Sequence, residues 1–254
     1  MKIQKSYKNT KIACYTNNLS MSVVGSVSAI LFAPFRDIYN LSYTMMGFLV
    51  LLNFCTQLFI DLVFTFFSDK FNIPKTVKTM PVITFTGLLI YALMPDIFPE
   101  YSYIWLCIGT IIFSVSAGLN EVLTSPVIAA IPSDNPEKEM SKLHSVYAWG
   151  VVFVVIISSA FLKVFGSNNW KWLVLLWSVV PLVAAFFFSK SIIPDTSAKD
   201  SEKRNKNKSN NSAINIGINS ITAASDCRLN ACHVICKEIK NVESSITGDY
   251  LSGR

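Results

Sequence analysis

Apolar residues arrive along this chain in long runs rather than in the narrow stripes of a surface helix. Mostly hydrophobic stretches cover about 12–35, 42–67, 77–95, 101–131, 143–165 and 170–193. A helix that crosses the hydrocarbon core needs roughly 20 such residues, because its backbone groups find no partners in lipid except one another. The pattern therefore predicts six spans within a transmembrane domain at 1–193. Breaks at Asp69 to Pro74, Pro95 to Pro99, Pro132 to Pro136 and Gly166 to Asn169 carry turn residues. Connections this short make neighbouring spans antiparallel. Pro34, Pro81, Pro126 and Pro181 fall inside spans, where neighbouring helices can re-satisfy the carbonyls they free, so kinks are expected there.

The pattern stops near Pro194. Residues 194–254 run on after Pro194 as DTSAKDSEKRNKNKSNNSAINIGINS, too poor in large apolar residues to build a core, and are expected to form a largely disordered, linker-like tail. No seventh span follows. The N-terminus MKIQKSYKNTKIACYTNN has the positive start of a signal peptide, but the apolar run after it lacks a small-residue cleavage site and reads as a retained first helix.

Composition agrees with a lipid solvent. Hydrophobic residues make up 52% of the chain and charged residues 15%, with a mean hydropathy of +0.44, whereas soluble domains carry about 25% charged residues. The net charge of +6 lies in short clusters between apolar runs rather than on one basic face with interleaved aromatics, which excludes nucleic acid as a partner. These clusters set orientation. Lys2, Lys5, Lys8, Lys11, Lys70, Lys75, Lys78, Lys138, Lys142 and the lysines from Lys190 to Lys208 fall on one side, and Arg36, Lys163 and Lys171 on the other. Because cytoplasmic loops carry the excess of Lys and Arg, the chain is expected to be multi-pass in the plasma membrane with both termini cytoplasmic.

Ionisable and strongly polar residues inside spans are costly and face a bundle interior or an aqueous cavity. In the second span Asn53, Gln57 and Asp61 stand four apart on one helical face. They either line a cavity or hydrogen-bond across packed helices. The fourth span holds GLNEVLTSPVIAAIP, in which Glu121 sits beside Asn120 with Ser125 one turn later. A buried carboxyl group here could take and release a proton, or accept hydroxyl donors from a polar solute; a neutral structural acid is the plainer alternative. SKLHSVYAWG opens the fifth span and puts His144 and Tyr147 on one face.

Enzyme chemistry finds no support: the chain has no H-E-x-x-H, no G-x-S-x-G, no Walker loop and only two histidines. Cys14, Cys55 and Cys107 lie in apolar runs, where thiols pack as small hydrophobes. Cys227, Cys232, His233 and Cys236 in the tail are spaced C-x4-C-H-x2-C, without the paired arms of a zinc site. No metal or cofactor is expected.

GLNEVLTSPVIAAIP, LHSVYAWG and NWKWL together resemble the fourth to sixth helices of the fucose permease-like sugar transporters, within the major facilitator superfamily. Glu121, Pro126, His144 and Gly150 are the matching positions, and the resemblance covers about 12–193. TFFSDKFNIPK is similar to that superfamily's loop between helices two and three, with Asp69, Lys70 and Lys75 at the cytoplasmic gate positions and Thr65 where glycine is usual. The proton-coupled members pair the fourth-helix Glu with an Asp in the first helix, and Ser28 and Ala29 stand in that stretch here.

The resemblance implies an all-α bundle of two three-helix repeats, forming the N-terminal half of a twelve-helix fold. It implies secondary transport of a small polar solute such as a sugar, coupled to protons or another ion. The site would lie at the bilayer midplane between two halves, so a second half or another copy of the chain is an expected partner. A truncated gene product, a gene fragment and a non-transporting membrane module are the competing readings. A cytoplasmic reporter fused after Lys208 should be active in cells; activity only of an external reporter at that position would reverse the predicted orientation.

Overall fold

A computed structural model describes residues 7–67, 70–133 and 135–194. Among the described residues seven α-helices follow one another: α1 (Lys8–Ile30), α2 (Phe32–Tyr39), α3 (Tyr43–Phe67), α4 (Ile73–Ile97), α5 (Ser102–Ala130), α6 (Pro136–Phe165) and α7 (Trp170–Ser189). Two 3-10 turns, Pro99–Tyr101 and Ser167–Asn169, precede α5 and α7. The helices α3 to α7 are each long and apolar enough to span a bilayer, and α1 with α2 forms a further span bent by 46°. The all-α, six-span architecture expected from the pattern is therefore present. The tail with its cysteine cluster lies outside the described residues, as does Asp69.

Local chemistry fixes where the helices start, bend and stop. Asn72 and Asn135 cap α4 and α6, their side-chain oxygens accepting from the backbone N–H of Lys75 and Lys138, with Pro74 and Pro136 in the first turn. The first span breaks at Leu31, three residues before Pro34. Proline has no N–H to return to the carbonyl of Ile30, so the ladder loses its bond at that turn. Pro81, Pro126 and Pro181 sit inside unbroken helices; of the four expected kinks, Pro34 alone coincides with a helix break among the described residues. The fifth span also begins earlier than its apolar run, because Glu137 to Lys142 are good helix formers behind a cap.

Packing follows a repeat. Taking α1 with α2 as span one and α3 to α7 as spans two to six, span one packs along span five, and span four packs along span two. Span one also meets span six, as span four meets span three, while three packs on six and one crosses four. Exchanging spans one, two and three for four, five and six reproduces every one of these contacts, which is the two-repeat arrangement. Spans two and five do not pack on each other, so a cleft is left between them over the crossing of one and four.

Two apolar clusters close the bundle at its ends. At the end remote from the N-terminus, Trp170 packs edge-on against Phe35 with ring centroids 4.9 Å apart, and Tyr91 links this pair to Phe113 at 5.5 Å. At the other end Ala13, Cys14, Phe64, Met80, Leu123 and Phe188 form a second cluster. Between them runs a layer of buried amides and hydroxyls.

Lipid tails are as apolar as the side chains, so helices associate through close backbone approach and polar bonds rather than through hydrophobic burial. The α4–α5 contact depends on such an approach: a Cβ at Gly109 would lie 2.8 Å from Tyr91 Cβ and 2.9 Å from its Cα. Gly109→Leu is expected to lower stability by about 1–3 kcal/mol or more through overpacking. Unfolding of the detergent-solubilised chain measures this, with the exposed Ile111→Leu expected to be neutral.

Candidate functional site

The cleft contains a cavity of ≈410 Å³. Its walls come from spans one, two, four and five: Asn18, Met21, Val24 and Gly25 on α1; Asn53, Phe54 and Gln57 on α3; Ala117, Asn120, Glu121, Thr124 and Ser125 on α5; Leu143, His144 and Tyr147 on α6. Cavities of 300–1,000 Å³ are the usual size for small-molecule sites.

Seven residues singled out from the sequence meet here: Asn53, Gln57, Asn120, Glu121, Ser125, His144 and Tyr147. Asp61, the third member of the α3 stripe, is buried but stands outside the lining. At a rise of 1.5 Å per residue, Asp61 stands about 12 Å along α3 from Asn53. Lys70 and Lys75, expected at a gate, are exposed; the Lys70 ammonium lies 5.1 Å from the centroid of the Phe67 ring. Neither forms an ion pair among the described residues.

Asn53 and Gln57 both line the cavity, and Asn53 also bonds across helices. The Gln57 amide donates to Asn53 Oδ1, which also accepts from Ser114 Oγ on α5 at 2.7 Å. One oxygen thus holds α3 to α5 while the same pair of amides forms part of the wall, so the two readings of this stripe are not exclusive. Across the cleft, α1 and α6 run parallel and meet at successive turns. Glu139 accepts from Tyr15 Oη and pairs with Lys11 at 3.4 Å; Asn18 Nδ2 donates to Leu143 O at 2.7 Å; Ser22 Oγ donates to Tyr147 O at 2.9 Å. Gly150 permits this approach, since a Cβ there would lie 2.5 Å from Ser22 Oγ.

Sequence reasoning missed the contribution of α1. Asn17 and Asn18 are buried, and both bond to Asn120: Asn17 Nδ2 donates to Asn120 Oδ1 at 2.6 Å and Asn120 Nδ2 donates to Asn18 Oδ1 at 3.3 Å. The signal was present as two adjacent asparagines inside an apolar run, with Asn18, Met21 and Gly25 spaced three and four apart on one face. Thr124, whose hydroxyl donates to Asn120 Oδ1, was likewise overlooked.

The lining offers amides, hydroxyls, one carboxyl group and one imidazole, set among Met21, Val24, Phe54, Ala117 and Leu143. Such a surface can exchange hydrogen bonds with hydroxyls while its apolar patches cover C–H groups. Ser114→Ala removes one donor to Asn53 and should cost about 0.6–1 kcal/mol. Asn53→Leu leaves the Gln57 amide and the Ser114 hydroxyl without their acceptor and should cost about 1–3 kcal/mol. Unfolding of the two variants in detergent orders them; equal losses would deny Asn53 its bridging role.

The profile of the Major Facilitator Superfamily matches residues 14–231. No curated protein matches the chain by sequence. Two solved structures of XylE from E. coli share the fold. One is the inward-open conformation of that xylose transporter, at a TM-score of 0.62 and 14% identity over 85% of this chain and 56% of that one. The other is the proton:xylose symporter XylE bound to 6-bromo-6-deoxy-D-glucose, at a TM-score of 0.66 and 13% identity over 94% of this chain and 54% of that one. The chain thus spans little more than half the length of either structure.

Proposed function

The chain belongs to the major facilitator superfamily, and on that premise we propose that it carries a small uncharged solute rich in hydroxyl groups, a monosaccharide by class, across the plasma membrane. It does so as one six-helix half, here the N-terminal one of a fucose permease-like carrier, rocking against a second half about a central site. That half would come from further polypeptide, another chain or a second copy. The unit is the domain at 1–193, with 194–254 as its cytoplasmic linker-like tail.

The observation that carries this reading is the cavity, lined by the same four spans that the repeat leaves facing the cleft and by seven side chains marked out by their polarity in apolar runs. Its chemistry favours a neutral polyol. Amide and hydroxyl groups from Asn53, Gln57 and Ser125 can each give or take a hydrogen bond, and Met21, Phe54 and Tyr147 supply surface for the C–H face of a ring. A fixed array of this kind rejects analogues that lack a hydroxyl, because the site's own polar groups are then left without partners.

Glu121 is the residue for coupling. Facing the cavity, it would meet one side of the membrane and then the other as the cleft opens, so a proton taken up on one side could be released on the other. Ser28 and Ala29 stand in the stretch where the resemblance would put the first-span acid of proton-coupled members, so Glu121 would exchange the proton without a first-span carboxylate. XylE, a proton:xylose symporter in one of its structures, has the same fold.

Uptake of ¹⁴C-labelled neutral monosaccharides by cells that express the chain natively tests the proposal. Deleting the chain should abolish uptake of at least one sugar, and Glu121→Gln should abolish its accumulation against a gradient while the protein still reaches the membrane. Unchanged uptake of every sugar after deletion would overturn the carrier reading. Full accumulation by Glu121→Gln would overturn the coupling role alone.

A further inference from the structure

Asn120 is buried, with 3% of its surface exposed, and its amide has four hydrogen-bonding capacities: two lone pairs on Oδ1 and two N–H groups. All four are used by the protein. Oδ1 accepts from Asn17 Nδ2 at 2.6 Å and from Thr124 Oγ1; Nδ2 donates to Asn18 Oδ1 at 3.3 Å and approaches Met21 Sδ at 3.2 Å. Nothing is left over for a solute.

The direction of this network is set at one atom. Leu143 O on α6 is a backbone carbonyl and can only accept, so the Asn18 side chain must present Nδ2 to it, 2.7 Å away. Asn18 Oδ1 then points to α5 and requires a donor, which orients the Asn120 amide. Asn120 Oδ1 in turn faces Asn17 and Thr124, both of which can donate. Reversing any member would oppose two acceptors in a low-dielectric interior, which is costly.

The path from Leu143 O to Asn120 adjoins the cavity's carboxyl group and its imidazole. Leu143 precedes His144, and Asn120 precedes Glu121. We infer that Asn18 and Asn120 are positioning residues: through the path from Leu143 O to Asn18 to Asn120 they lock α1, α5 and α6 together and fix where Glu121, Ser125 and His144 face the cavity. This rests on the proposed site but reassigns Asn120 from solute contact to support, and adds Asn18, which the sequence did not single out.

The test uses the full chain in detergent and in membranes and needs no solute, so its result is independent of whether any sugar is carried. In a double-mutant cycle, Asn18→Ala and Asn120→Ala should each lower the unfolding temperature by about 2–4 °C, and the double variant should fall no further than the worse single one. Additive losses would overturn the coupling. Position is read separately, from alkylation of Ser125→Cys by a water-soluble maleimide in a background with the native cysteines replaced. Asn120→Ala should change that rate severalfold, and Thr86→Ala, on an exposed face with only a local bond, should leave it unaltered. If Asn120→Ala does not accumulate in membranes, Asn120→Leu, of similar size but with no hydrogen-bonding group for Asn18, replaces it. An unchanged alkylation rate in whichever variant accumulates overturns the positioning role.

Discussion

A polar side chain inside a bilayer must find its partner in the protein, because the surrounding solvent offers none. Every feature of this bundle that bears on function follows from that requirement. Two apolar clusters close the ends, and the amides and hydroxyls between them are joined across helices: Asn53 to Ser114, Asn18 to Leu143 O, Ser22 to Tyr147 O, Thr84 to Ser116. These bonds tie span one to span five, span two to span four, and span three to span four. Where the bundle leaves its polar layer uncovered, between spans two and five, a cavity forms.

The repeat makes this economical. Parallel pairs, α1 with α6 and α5 with α3, each contain a glycine at the point of closest approach, Gly150 against Ser22 and Gly118 against Gln57 O and Ile60. Both pairs contribute to the lining. It differs in kind from side to side: α1 and α5 are joined by the asparagine network, whereas α3 and α6 present Phe54, Gln57, His144 and Tyr147. A rigid floor with a more varied rim is a sensible division for a body that moves as a unit about a bound solute.

Much of this was legible in the residue pattern. Hydropathy runs located six spans because lipid imposes length and apolarity on each, and the cost of burying polar groups picked out Glu121, Gln57 and their neighbours before any coordinates. What stayed hidden depended on which face each residue takes. Asp61 looked equivalent to Asn53 in spacing, yet it stands about 12 Å further along the helix and is absent from the wall. Asn17 and Asn18 carried a signal as adjacent asparagines in an apolar run, but which residue they bond to, Asn120, depends on the packing. Helix ends also escaped hydropathy, since α6 begins on charged helix formers behind Asn135, outside the apolar run that signalled it.

The account's central claim is that α3 turns a polar face to an aqueous cavity and an apolar face to lipid. Cysteines placed singly at Asn53, Phe54 and Gln57, and at Phe59, Leu62 and Phe66, which are all well exposed on the outer face, can be challenged in membranes with a water-soluble maleimide. Labelling confined to 53, 54 and 57 is the predicted result. Labelling of 59, 62 and 66 with protection of the first three, or equal labelling of all six, would contradict it.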